Sequence, residues 1–389
     1  MNCKNTQVAK YPNTQRSSKS ENRILRIFHI WKHWVFRSLG ISSFPHLGIW
    51  VFGYFVISSP SHAQSSSDGA PELTVEASTA INKGLEYLLS TQKEDGSWDT
   101  NGEGAHAVGI TSLSLMAFMS NAHFPGFGPY GDQLDKGMKW LLNVAKNSPS
   151  GLLASPHGGH AMYEHGLATL ALSEIWGMAR DPEDDAAHLA LKRAVDVILR
   201  SQNPGGGWRY QPQSDGGEDT SCTMTVFHAL ASARQAGIVV PNETISKLLN
   251  YLKDAKDPDT GGFTYAPRGR ANPTLPCTAG GAYIAQLAGQ RDTELVQSAL
   301  RYLKSQAPKI FTSMNHYYYG HYYAIQAMVQ AGDEEYAEWY PQIRDALISK
   351  QSANGGWIKG VRSGGGAVGT PMAIIILSTP HRYIPIYQR

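Results

Sequence analysis

From residue 83 onward the chain restates one pattern about every 50 residues, and repetition at that period confines the fold to stacked or ring-closed copies of one small unit. The first copy reads Lys83-Gly-Leu-Glu-Tyr-Leu-Leu-Ser-Thr-Gln92-Lys-Glu-Asp-Gly-Ser-Trp98. The third reads Arg193-Ala-Val-Asp-Val-Ile-Leu-Arg-Ser-Gln202-Asn-Pro-Gly-Gly-Gly-Trp208, and the sixth keeps Lys350-Gln351-Ser-Ala-Asn-Gly-Gly-Trp357. In all three the Gln and Trp stand six residues apart, with a Gly two before the Trp. The other three copies are worn. Lys136-Gly-Met-Lys-Trp-Leu141 loses the Gln and Trp, and Lys247-Leu-Leu-Asn-Tyr-Leu252 leads to Gly261-Gly-Phe263. Ala299-Leu-Arg-Tyr-Leu-Lys-Ser-Gln306 then departs.

Each copy begins with an amphipathic stretch, such as Ile81, Leu85, Leu88 and Leu89 at helical spacing. A Gly-rich turn stops it, because Gly supplies the left-handed conformations that helix ends need. A second stretch follows that is apolar nearly all round, as in Ala107-Val-Gly-Ile-Thr-Ser-Leu-Ser-Leu-Met-Ala-Phe118. A helix apolar on every side is buried. Such pairs stack with the apolar helices inside and the amphipathic ones outside. The expected fold is all-α: an α/α toroid of six helix pairs over residues 76–389, entered through a linker at 64–75.

Length alone, at 389 residues, suggests two or three domains, but the repeat overrides that prior. The net charge of +2 averages two unlike parts. Residues 1–40 carry eight Lys or Arg against Glu21 alone, which leaves 26 basic and 31 acidic residues in the remainder. A mildly acidic body argues against nucleic acid as a partner. The basic start leads into the apolar run Leu47–Ile57 and then Ser59-Pro-Ser-His-Ala-Gln64. That order reads as a signal peptide over 1–63, so the toroid is expected to work outside the cytoplasm.

The repeat resembles the QW motif of squalene–hopene and oxidosqualene cyclases, Lys/Arg-Gly/Ala-x-x-aromatic-Leu-x-x-x-Gln-x-x-x-Gly-x-Trp, and the first copy matches it at every position. The likeness runs over residues 76 to about 380 and extends to protein prenyltransferase β-subunits, which are single toroids of this size. It implies a structural role for Gln92, Trp98, Gln202, Trp208, Gln351 and Trp357. It also implies an apolar, isoprenoid-type ligand in a central aromatic cavity, with lipid or peripheral membrane contact.

The cyclase motif Asp-x-Asp-Asp-Thr-Ala falls on Gly216-Gly-Glu218-Asp219-Thr220-Ser, which places Glu218 at the protonating acid and Asp219 beside it. The plainer reading of these acids is a helix N-terminal cap. In the prenyltransferases an Asp-x-Cys pair and a later His bind zinc, and Asp219, Cys222 and His321 are the matching ligand types, at altered spacing. No cofactor is otherwise implied. Cys222 and Cys277 stand near the starts of consecutive inner helices, either as a disulfide or as two buried thiols. His160, His165, Tyr317, Tyr318, His321 and Tyr322 are the candidate lining of the cavity, with core packing as the plainer alternative. Two other functions remain open: a non-catalytic scaffold, and a carbohydrate-active barrel drawing paired carboxylates from Glu103, Glu164, Glu218 and Asp219.

Overall fold

An outer helix followed by a largely buried inner one recurs six times in the computed structural model, which describes residues 71–100, 105–156, 159–178, 185–214, 217–267, 272–311, 316–358 and 365–388. The outer helices are α1 (Val75–Thr91), α3 (Gly131–Lys146), α5 (Asp185–Arg200), α7 (Asn242–Ala255), α9 (Glu294–Ile310) and α11 (Asp333–Lys350). The inner helices are α2 (Ala107–Met119), α4 (Ala161–Met178), α6 (Thr220–Gln235), α8 (Leu275–Leu287), α10 (Tyr317–Ala331) and α12 (Gly365–Leu377). Two 3₁₀ turns, Thr379–His381 and Pro385–Tyr387, follow α12. The expected signal segment and the first part of the linker lie outside the described residues.

The outer and inner helices differ as their patterns require. In α1 the Thr74 hydroxyl caps the start by accepting from the Ala77 N–H at 3.2 Å. Its buried positions, Ala77, Ala80, Ile81, Gly84, Leu85 and Leu88, form a single stripe. In α2 every residue from Ala107 to Met119 is buried. Neighbouring inner helices pack in the order α2, α4, α6, α8, α10, α12, and α12 packs back on α2. The ring is closed. Such closure leaves no terminal repeat with an apolar face in water.

The repeated Gln and Trp make the same bonds in each intact copy. The indole N–H of Trp98 donates to Leu88 O at 2.7 Å, that of Trp208 to Ile198 O at 2.8 Å, and that of Trp357 to Leu347 O at 2.8 Å. Each Gln amide donates twice, once into its own turn and once to the next outer helix. Gln92 reaches Gly96 O and Gln133 O at 2.9 and 2.8 Å, and Gln202 reaches Gly206 O and Thr244 O at 2.9 and 3.0 Å. Gln351 reaches Gly355 O and, 271 residues back, Ala80 O, both at 2.8 Å. That last bond joins copy six to copy one.

Glycine in these turns is a requirement of space as well as of φ. Gly206 has φ +101°, and a Cβ there would lie 2.0 Å from Lys247 O on the next outer helix. The same position in copy two is Gly151, at φ +81° against Arg193 O. The second copy therefore keeps its turn as Gly151-Leu-Leu153, displaced by an insertion, with Leu153 fully buried where Trp stood.

Candidate functional site

A second tie recurs where the turn meets the inner helix, and it fixes which way each inner helix faces. The Thr111, Thr223 and Thr370 hydroxyls accept from the backbone N–H of Trp98, Trp208 and Trp357, each at 2.9 Å. Thr278 accepts from Phe263 N–H at 3.0 Å. In copy two the partner is His165, whose Nδ1 accepts from Leu153 N–H at 3.0 Å while Nε2 bonds Ala194 O at 3.0 Å. Burial pushes the His165 imidazole down to about 4, so it stays neutral with its proton on Nε2. In α10 the same register is held by His321, stacked on Phe311 at 5.1 Å and near Trp339 at 6.4 Å.

These six residues face the outer shell, which corrects two of the cavity expectations. His165 is a structural tie, and His321 lies between inner and outer helices with Tyr317, whose ring is 4.5 Å away. Tyr317 also receives Lys350 of α11 over its face at 5.2 Å, and Tyr318 meets Tyr317 edge-on. Two residues before each tie, at about 200° around the helix, the side chain faces the lumen. Those positions are Gly109, Tyr163, Ser221, Pro276, Tyr319 and Val368, all half-buried except Gly109. Leu167, one turn below Tyr163, and Ala367 are half-buried too. They form a half-exposed ring at the inner-helix N-termini.

Asp219 stands at this mouth and is fully buried. It caps α6, its Oδ1 accepting from Cys222 N–H at 2.7 Å, while its backbone N–H donates to Trp208 O at 3.1 Å. Its Oδ2 has no partner within hydrogen-bond distance, although the Tyr265 hydroxyl and the Ser221 N–H stand near enough to pull the carboxyl down. Burial raises the carboxyl to about 6, against the lowering pull of the Cys222 N–H and the Arg209 guanidinium. Around it stand phenols and a rim histidine. The Tyr210 and Tyr265 hydroxyls bond each other, and His160 sits 4.4 Å from the Tyr210 ring and 6.1 Å from that of Tyr163. Arg209 lies over Tyr210 at 5.1 Å. Tyr163, Tyr210, Tyr265 and Ser221 belong to this site without having been candidates from sequence: the tie register reveals Tyr163 and Ser221, and Tyr210 and Tyr265 stand in the turns two residues after Trp208 and Phe263.

Glu218 is half-buried and turned the other way. Its side chain lies against the copy-three turn, where a Cβ on Gly205 would meet Oε1 at 2.3 Å and one on Gly207 would meet its Cβ at 2.8 Å. The buried acid of this pair is Asp219, not Glu218. Glu164 is buried and already engaged: Oε2 takes Ser155 Oγ–H at 2.6 Å and Ser155 N–H at 3.3 Å, and Oε1 meets His106 Nδ1 at 3.2 Å. Glu103 lies outside the described residues.

The zinc set does not assemble. Asp219 Oδ1 is held by its cap bond, Cys222 Sγ donates to Arg209 O at 3.0 Å, and His321 faces the outer shell. Among the described residues no group of three His, Cys, Asp or Glu is placed to hold a metal ion. Cys222 and Cys277 are both free and buried, so of the two readings the pair of buried thiols holds. Burial pushes both thiols up, Cys277 to about 11, so neither is a nucleophile at neutral pH.

Below the mouth the axis is filled with aromatic rings. His228 lies 5.0 Å from Tyr283 and about as near Tyr322, Tyr323 and Tyr387, at 6.0 to 6.2 Å. The Pro385–Tyr387 turn covers the far end, with the Tyr387 and Tyr322 hydroxyls 2.7 Å apart and Tyr283 OH donating to Ile386 O at 3.2 Å. Tyr322 thus belongs to the far end rather than to the mouth. Glu174 is buried there, accepting from Ser232 Oγ–H at 2.6 Å, and burial raises it to about 7.

No protein-family profile matches the chain. A lanosterol synthase of Gibberella zeae is 26% identical over 154 residues, which is 39% of this chain and 20% of that protein. The chain thus spans only about a fifth of that curated relative. Among solved structures, the type II terpene cyclase MstE from Scytonema superposes with a TM-score of 0.54 at 19% identity, over 81% of this chain and 100% of that one. A cellobiose 2-epimerase from Bacillus thermoamylovorans gives 0.57 at 12% identity, over 78% and 100%. An α-1,6-mannanase from Salegentibacter gives 0.56 at 9% identity, over 79% and 99%. With these likenesses and its closed ring of six helix pairs, the chain has the α/α-toroid fold that the terpene cyclase, the epimerase and the mannanase share.

Proposed function

We propose that the toroid binds an apolar, isoprenoid-type ligand at the half-exposed ring of the inner-helix N-termini and protonates an alkene of that ligand from Asp219. The observation that carries this reading is the Asp219 carboxyl itself: buried, with Oδ1 fixed by a backbone N–H, Oδ2 unpartnered, and raised to about 6 by burial. A carboxyl whose burial shifts it toward the protonated form, so that mildly acid solution loads it, is what donation to a weakly basic alkene needs. The faces of Tyr163, Tyr210 and Tyr319 would stabilise the cation that results. The proton leaves Asp219 for one alkene carbon, a second alkene closes on the cation, and loss of a neighbouring proton yields an isomer. A MstE variant has been solved with geranylgeranyl dihydroxybenzoate bound, which supports an isoprenoid as the ligand class.

Hydrolysis of sugars has weaker support, because Glu164 is committed to Ser155 and His106 and so is not available as a second carboxylate beside Asp219. Export is part of the proposal and rests on the basic, apolar and small-residue order of the N-terminal segment. A reporter fused after Gln64 would appear outside the cytoplasm; retention inside would end that part.

The test is turnover of prenyl substrates to cyclised isomers by the purified chain and two variants. Asp219→Asn should lose at least about a hundredfold in rate, and Glu218→Gln should stay near the parent. The opposite pattern would return the acid role to Glu218. Turnover by none of the proteins, with no prenyl ligand retained on purification, would leave a scaffold.

A further inference from the structure

The lumen is interrupted one helical turn below its mouth. Tyr319 projects from α10 and its hydroxyl donates to Ser221 O on α6 at 2.9 Å, with Ser221 Oγ at 3.2 Å and Thr225 Oγ1 at 2.9 Å. Tyr323, one turn further down, donates to Thr225 Oγ1 at 3.1 Å. Helix α8 stands between α6 and α10 in the ring, so both side chains cross the lumen in front of it. The two rings meet edge to face at 5.2 Å, and behind Tyr323 come Tyr322, Tyr283 and His228 without a break.

Exposure falls from this level down. In the first turn Tyr163, Ser221, Tyr319 and Val368 are half-buried; one turn down Leu167 still is, whereas Thr225 is 2% exposed and Tyr323 1%; two turns down Ala171 is 0%. Small residues draw the walls together here. A Cβ on Gly166 would lie 3.1 Å from Thr225 O, and one on Gly280 would lie 1.9 Å from Met224 Sδ. Neither the floor nor the walls can yield depth without repacking.

We infer that Tyr319 and Tyr323 are specificity-determining residues, forming a floor that limits the ligand to a short prenyl chain. Taking the isoprenoid reading as given, the lumen closes between Tyr323, one turn below the rim, and Ala171, two turns below it, a depth of roughly 5–10 Å by helix rise, room for one or two isoprene units. A chain of three or four units would leave the remainder in water and gain nothing from it. Hydroxyls at the floor are all paired, so the floor presents ring surface rather than polar groups to the chain end.

The experiment is binding of prenyl alcohols of one to four isoprene units to the whole purified chain, by competition against a fluorescent probe. The parent should bind the one- and two-unit alcohols best and gain less than about tenfold beyond them. Tyr323→Leu and Tyr319→Ala should move the optimum to longer chains by at least one unit. Tyr319→Phe, which keeps the ring but loses its hydrogen bonds, should keep the parent's length profile and so separates the floor from mere loss of packing. Melting curves run on each variant confine the comparison to folded protein, and Tyr323→Leu stands in if Tyr319→Ala does not fold. Affinity that climbs steadily to four units in the parent, or an optimum that no floor variant moves, would overturn the floor while leaving the isoprenoid reading intact. Binding of no alcohol by any protein would overturn both.

Discussion

The wall of this ring and its lumen are built on opposite rules. Every wall tie is a repeat: Trp indole to outer-helix carbonyl, Gln amide to the next helix, inner-helix Thr or His to the Trp backbone. At the matching lumen positions the residue changes from copy to copy, Gly109, Tyr163, Ser221, Pro276, Tyr319 and Val368. One inner helix brings Asp219 and Ser221, another Tyr163, another Tyr319 and Tyr323. The wall needs identical bonds because a closed ring divides its curvature equally among copies, whereas a ligand site needs different groups facing one point.

This contrast can be broken in order of expected effect. Wall variants should cost stability and leave ligand preference alone. Trp357→Ala, which empties a fully buried site at the ring's closing copy, should cost about 3–5 kcal/mol in denaturant unfolding. A loss below about 1 kcal/mol would mean that closure does not depend on that tie.

The lumen should instead show in the pH dependence. Asp219 and Glu174 both rise on folding, from 3.8 to about 6 and from 4.5 to about 7. A carboxyl raised in the folded state contributes stability that is present below its unfolded value and lost as pH climbs through its folded one. Stability should therefore fall between about pH 4 and 7, by an amount on the order of 3 kcal/mol for each carboxyl. Glu174→Gln should flatten the upper part of that fall and Asp219→Asn the lower. An unchanged profile in both variants would contradict the burial assigned to them.

Smaller effects sharpen the wall. Gly206→Ala forces a Cβ into Lys247 O at a positive φ and should cost more than about 1 kcal/mol in a thermal melt. Gln92→Ala removes two half-exposed amide bonds and should cost about 1 kcal/mol by the same measurement. A neutral Gln92→Ala would show that the neighbouring helices hold their spacing by packing alone.

Most of the wall was legible in the sequence because periodic bonds leave periodic residues. The helix pairs, their buried and exposed faces and the Gly-rich turns all follow from spacing. Copy two hid its turn, since an insertion moved Gly151 and Leu153 out of phase. The site was legible only in part. Asp219 was visible beside Glu218, but adjacent residues at a helix start point in different directions, and the cap bond to Cys222 decides between them. His165 and His321 looked like site residues because histidine suggests chemistry, while their register is that of a structural Thr. The sequence signal that separates wall from lumen is the offset of two residues from that tie.

The most direct test of the account is deuterium incorporation. The purified chain, incubated in heavy water with a two-unit prenyl alkene, should return product carrying one carbon-bound deuterium, and Asp219→Asn should return none. Label at the same level from Asp219→Asn, or unlabelled and unchanged alkene from the parent, would contradict Asp219 as the proton donor of this ring.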